Sequence, residues 1–213
     1  MVPNEIDTDF LKNFKKLITG LTKKGYRFVL VVGGGKTCRK YLEVLKAVGE
    51  PTNNEMDWLG IHSTWLNAKL IQLLFGGLSH PKIISDPQKR VNFREKIMVA
   101  GGWKPGRSTD DVAVRLAKLY GAKRIINLSN IDYVYTEDPK KFKNAKIIKN
   151  MTWLEFNSQF SGPWKPGANT PFDPTAAKTA RDSKLEIIIA NGKNLNNLRK
   201  ILENKPSQGT VIK

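Results

Sequence analysis

Residues 31–40 read VVGGGKTCRK and bring together what a phosphate group needs, free backbone N–H groups and fixed positive charge. Gly33, Gly34 and Gly35 come directly after the apolar run FVLVV. Glycine is costly to order, so three in succession imply a backbone that approaches something closely or takes φ > 0. Between a strand and a helix, such a turn aims several N–H groups and a helix N-terminus at one point, which suits an anion. Lys36 and Arg39 fall on or just before the first helical turn, where an arginine can fork onto a phosphate while loop amides hold its other oxygens. A tight strand-to-helix turn with solvated cations explains the same residues without any ligand. The stretch matches neither the Walker phosphate loop nor the dinucleotide fingerprint.

Three further segments carry polar groups at suggestive spacing. In MDWLGIHSTWLNAKL (56–70), Gly60, Thr64 and Asn67 share one helix face with Asp57 a turn earlier; the ordinary expectation for such a stripe is an exposed face. His62 lies off the stripe and reads as structural or exposed. In AGGWKPGRSTDDVA (100–113), glycines end a strand, Pro105 and Gly106 make a turn, and Ser108 or Thr109 caps a helix. Its hydroxyls and amides, with Lys104 and Arg107, could grip a phosphate or a base. Acidic residues suit any helix N-terminus, so Asp111 needs no function, whereas Asp110 could orient basic groups or hold a metal–phosphate complex. In NLSNIDYVYTEDPKK (127–141), Ser129, Asn130, Asp132, Tyr135 and Asp138 crowd a strand end and suit a purine or ribose pocket. Ordinary turn chemistry explains the Asn, Asp and Pro residues equally well.

The elements that would position these segments follow from periodicity. Phe10, Leu11, Phe14, Leu17, Ile18 and Leu21 recur at helical spacing over 7–22, with Asp7 as N-cap. A strand is expected at 27–32, a helix at 37–48 and a long helix at 55–75, whose apolar stripe reads Leu59, Trp65, Leu66, Leu70, Leu73, Leu74 and Phe75. KIISD (82–86) reads as a short strand and 96–103 as a firmer one, followed by a helix over 110–122 and a strand over 124–130. Short turns and strands fill 134–150, then a helix at 152–160, a Gly/Pro/Ser/Asn-rich loop at 161–171, and a helix with Asp173 at its cap and Pro174 at its first position. Strand 185–192, a helix and the short strand GTVIK close the chain. Strands alternating with helices imply a parallel sheet covered on both faces, with ligands at the strands' carboxyl ends. The glycines 33–35 and 101–102 and the Ser129–Asp132 turn all fall there.

Composition narrows the classes. The chain has 213 residues and 40% apolar side chains, enough for one α/β domain with a real core. Neither a membrane-spanning run nor a signal peptide is visible, which gives the expectation of a soluble, cytoplasmic protein without a membrane partner. The single Cys38 excludes an internal disulfide, and with only His62 and His80 no metal-ligand spacing is recognisable, so no residue is assigned to a metal. Against 19 acidic residues stand 36 Lys and Arg, a net charge of +17 that favours anionic partners. The lysines are dispersed and no aromatic–basic motif accompanies them, so we read the surplus as a solvated face rather than a nucleic-acid groove.

Taken together and in order, the segments resemble the amino-acid kinase family, and within it the branch of archaeal-type uridylate kinases. The matching features are VVGGGK with Arg39, the D-x-x-G-x-x-x-T-x-x-N run from Asp57 to Asn67, GG-x-x-PG-x-STD at 101–110, N-x-D-x-VYT-x-DPKK at 130–141, PFDPTAAK at 171–178 and GTVI at 209–212. The resemblance implies a three-layer α/β sandwich with a mainly parallel central sheet. It implies a single domain over 1–213, with an acceptor part over roughly 1–120 and an ATP part over roughly 121–213. It further implies transfer of the ATP γ-phosphoryl to UMP with Mg2+ by a homo-oligomer, up to a hexamer. Carried over, Gly34 and Gly35 hold phosphates of UMP and ATP, Lys36 and Arg39 act at the transferring group, and Asp57 binds the UMP ribose. Gly102, Trp103, Gly106, Arg107, Ser108 and Thr109 line the UMP pocket, while Asp110 organises the catalytic cluster. Ser129, Asn130, Asp132, Tyr135, Asp138 and Asp173 fall to ATP. A loose phosphoryl transition state is served by positioning and charge neutralisation, which fits the lack of a candidate nucleophile or base.

The chain departs from the family pattern in three places. Family members open with a strand and a glycine-rich turn, whereas this chain opens MVPNEIDTDFL, so that element is expected to be missing. Trp103 stands where a threonine or small residue is usual, and Tyr133 where a turn glycine is usual. Both bear on acceptor identity, which leaves open a kinase for another small acceptor or a non-catalytic nucleotide-binding homologue. The isoprenoid phosphate version is disfavoured, since it uses a histidine and neither His62 nor His80 falls in the matching glycine segments.

Overall fold

The computed structural model describes residues 6–139, 141–160 and 170–213. Residues 161–169 of the loop expected at 161–171 lie outside them. The chain divides into two compact units, one running to Leu119 and the other spanning Tyr120–Lys213.

The first unit is built on a hydrophobic helix and two parallel strands. Helix α1 (Thr8–Lys23) begins where Asp7 accepts the Phe10 N–H, and buries Leu11, Phe14, Leu17, Ile18 and Leu21. Phe14 meets Phe75, the last residue of helix α3 (Asn53–Phe75), edge to face at 6.1 Å between centroids. Strand β1 (Phe28–Val31) pairs in parallel with β2 (Ile97–Ala100), in the register Phe28 to Ile97 through Val31 to Ala100. All four β2 side chains are buried. Helix α2 (Gly35–Val48) follows β1, and α4 (Thr109–Tyr120) follows β2.

The expected strand at 82–86 is reduced to an isolated parallel bridge between Ile84 and Ala100. Pro81 and Pro87 bracket it, and each removes a backbone donor where a longer ladder would need one. The strand expected over 96–103 stops at Ala100 because Gly101 and Gly102 turn away to meet α3, as described below.

The second unit carries a four-stranded sheet in the order β3–β7–β8–β6. Strand β3 (Arg124–Ser129) runs parallel to β7 (Glu186–Asn191), β8 (Thr210–Ile212) runs antiparallel to β7, and β6 (Asn150–Met151) parallel to β8. A short antiparallel pair, β4 (Val134–Tyr135) with β5 (Ile147–Ile148), stands beside these in sequence. Thr210 ties pair and sheet together: its hydroxyl donates to the Ile148 carbonyl and accepts the Val134 N–H. Helices α5 (Trp153–Gln159), α6 (Pro174–Asp182) and α7 (Leu195–Leu202) complete the unit. Asp173 caps α6 with Pro174 at its first position. The β7 core residues Ile187, Ile188, Ile189 and Ala190 are buried on both faces, as a strand inside a covered sheet requires, although its pairing is parallel to β3 and antiparallel to β8.

Candidate active site

Because β1 and β2 are adjacent and parallel, their C-terminal turns lie side by side. The Val32 N–H continues the ladder to the Ala100 carbonyl at 2.9 Å. A Cβ placed on Gly33 would lie 3.8 Å from Thr109 Oγ1, so the GGG turn and the start of α4 are neighbours.

Two of the three glycines at 33–35 have a physical reason of their own. Gly35 takes φ +60°, a conformation that L side chains rarely adopt. At Gly34 the space a Cβ would occupy is already filled, since it would stand 2.5 Å from the Cys38 Cβ on α2 and 3.7 Å from the Gly60 carbonyl oxygen on α3. The close approach that the glycines permit is therefore partly internal, a turn packed onto its own helices.

Helix α2 differs from its neighbours at the N-terminus. Side chains cap α1, α3, α5, α6 and α7, and Ser108 Oγ accepts the Asp111 N–H at the start of α4. Gly34, at the N-cap of α2, provides no side-chain acceptor, and the first turn holds no acidic residue. The positive end of the α2 dipole thus meets no carboxylate from the helix's own first turn and no side-chain cap. Lys36 lies on that turn and the exposed Arg39 directly follows it.

The polar stripe of α3 faces inward, which corrects the expectation of an exposed face. Thr64 and Asn67 are each 6% exposed. Asn67 Nδ2 donates to the carbonyls of Gly33 and Gly34, both at 3.0 Å. Thr64 Oγ1 accepts the Gly102 N–H at 2.6 Å and donates to the Ile61 carbonyl. Trp65 Nε1 donates to the Gly102 carbonyl at 2.8 Å. One helix therefore braces both glycine turns through their main chains. Asp57, a turn earlier, accepts the Gly106 N–H at 2.7 Å and so holds the Pro105–Gly106 turn. Gly101 and Gly102 allow this contact: a Cβ on Gly101 would come within 2.6 Å of Trp65 Cδ1 and 2.9 Å of Thr64 Oγ1, and one on Gly102 within 3.1 Å of Thr64 Oγ1. What Gly102 offers the turn is thinness, since its N–H is already bonded.

Opposite that inward stripe, α3 leaves Trp58, Leu66 and Leu73 at 39%, 63% and 63% exposure. His62 is exposed and packs on Trp58 and Trp65. The sequence stripe placed Leu66 and Leu73 on the buried side; polar Thr64 and Asn67 take that side instead, because carbonyls of distant turns give them partners there. Burial pushes the Cys38 thiol above its usual range, with Arg39 pulling weakly the other way.

On the 101–110 segment, Ser108 is the residue whose side chain caps α4, and Thr109 and Asp110 enter its first turn. Trp103 is partly buried, with Lys104 Nζ 4.2 Å and the Arg115 guanidinium 5.0 Å from its ring centroid. Asp111 is buried, its carboxylate receiving Arg115 Nε at 2.7 Å.

In the second unit, Ser129 and Asn191 end the adjacent parallel strands β3 and β7, and the Gly192 N–H returns to the Ser129 carbonyl at 2.8 Å. Asn191 Nδ2 donates to Asp132 Oδ1 at 3.1 Å, so a strand end holds the exposed aspartate. Asn130 is exposed beside Ser129. The Tyr135 carbonyl accepts from Gln159 Nε2 at 2.9 Å, and the Asp138 carbonyl receives the N–H groups of Lys141 and Phe142. Asp173 is 4% exposed, and its Oδ1 accepts the Thr175 N–H at 2.7 Å. Among the described residues, no group of three or more His, Cys, Asp or Glu side chains could hold a metal ion.

Sequence reasoning singled out the turns but missed the role of Thr64, Trp65 and Asn67 as braces. The signal was present in the spacing of Thr64 and Asn67 on one face, yet their partners lie 33–38 residues away in the chain.

The model of the family described as "Amino acid kinase family" matches residues 3–191. The chain is 36% identical over 210 residues to a uridylate kinase of Thermoplasma volcanium, covering 97% of this chain and 90% of that protein. A uridylate kinase of Methanobrevibacter smithii is 35% identical over 211 residues, covering 98% and 92%. Among solved structures, the crystal structure of uridylate kinase from Archaeoglobus fulgidus superposes with a TM-score of 0.85 at 28% identity, covering 98% of this chain and 94% of that one.

Proposed function

This chain belongs to the amino acid kinase family, and from that premise we propose that it is a UMP kinase, transferring the γ-phosphoryl group of ATP to UMP to give UDP and ADP. The observation that carries the reading is the paired glycine turns at the ends of β1 and β2, both gripped by α3. Such a cradle presents backbone donors and a helix N-terminus to a phosphorylated ligand at little reorganisation cost.

In this reading the first unit takes UMP and the second takes ATP. The α2 N-terminus with Gly34, Lys36 and Arg39 receives phosphate charge, Asp57 and the turn 102–109 enclose the nucleoside, and Asp110 orders the polar groups of the transfer. Ser129, Asn130, Asp132, Tyr135, Asp138 and Asp173 serve ATP. An oxygen of the UMP phosphate forms the new bond to the γ-phosphorus while the bond to the β,γ-bridging oxygen breaks, its electron pair leaving with ADP. The attacking oxygen is already anionic, so no general base is required, and the protein's share is alignment and neutralisation of charge. Since no cluster of described residues fits a resident metal, no step is assigned to a protein-held ion, and magnesium arrives with the ATP phosphates.

We assign the enzyme to the cytoplasm, where both substrates are found; no helix among the described residues is long and apolar enough to cross a membrane. The exposed apolar face of α3 is assigned to contact with a second copy of the chain. A coupled assay of ADP release with UMP, CMP and small carboxylic acids tests the activity. Turnover that requires UMP is expected, and turnover with only another acceptor would replace this reading.

A further inference from the structure

Asp111 is 1% exposed, and a carboxylate there is costly unless something compensates it. Its place in the first turn of α4 favours negative charge, but an exposed aspartate would satisfy the helix equally well. What burial adds is fixed geometry. Asp111 Oδ2 receives Arg115 Nε at 2.7 Å, and the same guanidinium lies 5.0 Å from the Trp103 ring centroid. Asp111 Oδ1 faces Arg107 at 3.7 Å, within ion-pairing range but beyond a hydrogen bond, and has no hydrogen-bond partner among the described residues. Asp111 and Arg115 lie one helical turn apart on α4, while Arg107, two residues before the helix begins, faces the same carboxylate from the 101–109 turn.

We infer that Asp111 is a positioning residue for the acceptor: one buried charge holds Arg115 against the Trp103 ring and keeps Arg107 directed along the 101–109 turn. This rests on the reading of that turn as the UMP pocket. Trp103 and Arg107 both belong to that turn, and both are set through the same carboxylate, Trp103 by way of Arg115. Loss of its charge frees Arg107 to swing into solvent and loosens Arg115 from the indole. The consequence falls on acceptor binding rather than on phosphoryl transfer.

The test is Asp111→Asn, which keeps the volume and one acceptor oxygen. KM for UMP is expected to rise about tenfold, with kcat and KM for ATP within about twofold, as displacement of a binding group without loss of chemistry requires. Because Asp111 acts through Arg107, Asp111→Asn added to Arg107→Met should raise KM little beyond Arg107→Met alone. Should Asp111→Asn fail to fold, Arg115→Gln is the second variant. It should raise KM for UMP and shift the tryptophan emission, and the emission shift should vanish in a Trp103→Phe background. An unchanged KM for UMP in the folded variant, or effects of Asp111 and Arg107 that multiply independently, would overturn the inference while UMP turnover by the wild type leaves the acceptor reading standing. A wild type that does not use UMP would remove both.

Discussion

Asn67 Nδ2 donates to the Gly34 carbonyl at 3.0 Å, joining the middle of the long helix α3 to the N-cap of α2. The same nitrogen reaches the Gly33 carbonyl, so one amide fixes the orientation of two successive peptide groups. With Thr64 holding Gly102, α3 is the brace from which both turns take their shape.

Removal of that brace should uncouple activity from stability. Asn67→Ala leaves two carbonyls without their donor, for a stability loss of about 1–2 kcal/mol, readable by urea unfolding. Displacement of the phosphate-binding turn should cost kcat/KM for UMP about a hundredfold. Equal small losses in both would show that Asn67 only supports the fold.

Gly34→Ala should be far more harmful than an exposed glycine replacement, because its Cβ would stand 2.5 Å from the Cys38 Cβ. Cys38→Ala keeps that Cβ and should not restore activity, whereas Cys38→Gly should restore part of it, at about 1 kcal/mol of helix stability. Rescue by Cys38→Ala would place the conflict at the sulfur instead.

Acid should weaken the helix starts at Thr52 and Thr152. The Thr52 backbone N–H and hydroxyl hold Glu55 below the ordinary carboxylate range, and those of Thr152 do the same for Glu155. A folded-state pKa below the unfolded one gives stability that is present above the unfolded value, near pH 4.3, and is lost as pH falls through the folded one. Melting temperatures measured downward from pH 6 should therefore fall less steeply in Glu55→Gln and Glu155→Gln than in the wild type. Parallel curves would remove the capping boxes from the acid response.

The exposed residues Trp58, Leu66 and Leu73 on α3 should be covered in solution by another copy. Light scattering at working concentration should give a mass that is a multiple of 24.0 kDa, and Leu66→Glu with Leu73→Glu should reduce it. A wild-type mass equal to one chain would leave that face without the partner assigned to it.

Much of the fold was legible because local signals and tertiary partners agreed. Asp7 before the Phe10–Leu21 repeat, and Asp173–Pro174 before α6, are caps that any packing would keep. The start of α3 at Asn53 was also written in the chain, as Thr52 and Glu55 in capping-box spacing, but the apolar repeat begins later and drew the boundary to 55. The orientation of α3 was not legible. Leucines at 66 and 73 and polar residues at 64 and 67 suggest the reverse of the observed burial, since the bonds that reward Thr64 and Asn67 come from glycine turns distant in sequence. The glycines themselves were read as room for a ligand, when Gly34, Gly101 and Gly102 first make room for α2 and α3. Asp111 was set aside as a helix-dipole residue, although its spacing from Arg107 and Arg115 announced an ion cluster.

The central claim is transfer of a phosphoryl group onto UMP, and its most direct measurement follows the group itself. With ATP labelled at the γ-phosphoryl, magnesium and UMP, the label should appear in the β-phosphoryl of UDP at a rate proportional to enzyme, with one ADP formed per UDP. Label that stays in ATP, or moves to water or another acceptor while UMP remains unchanged, would contradict it.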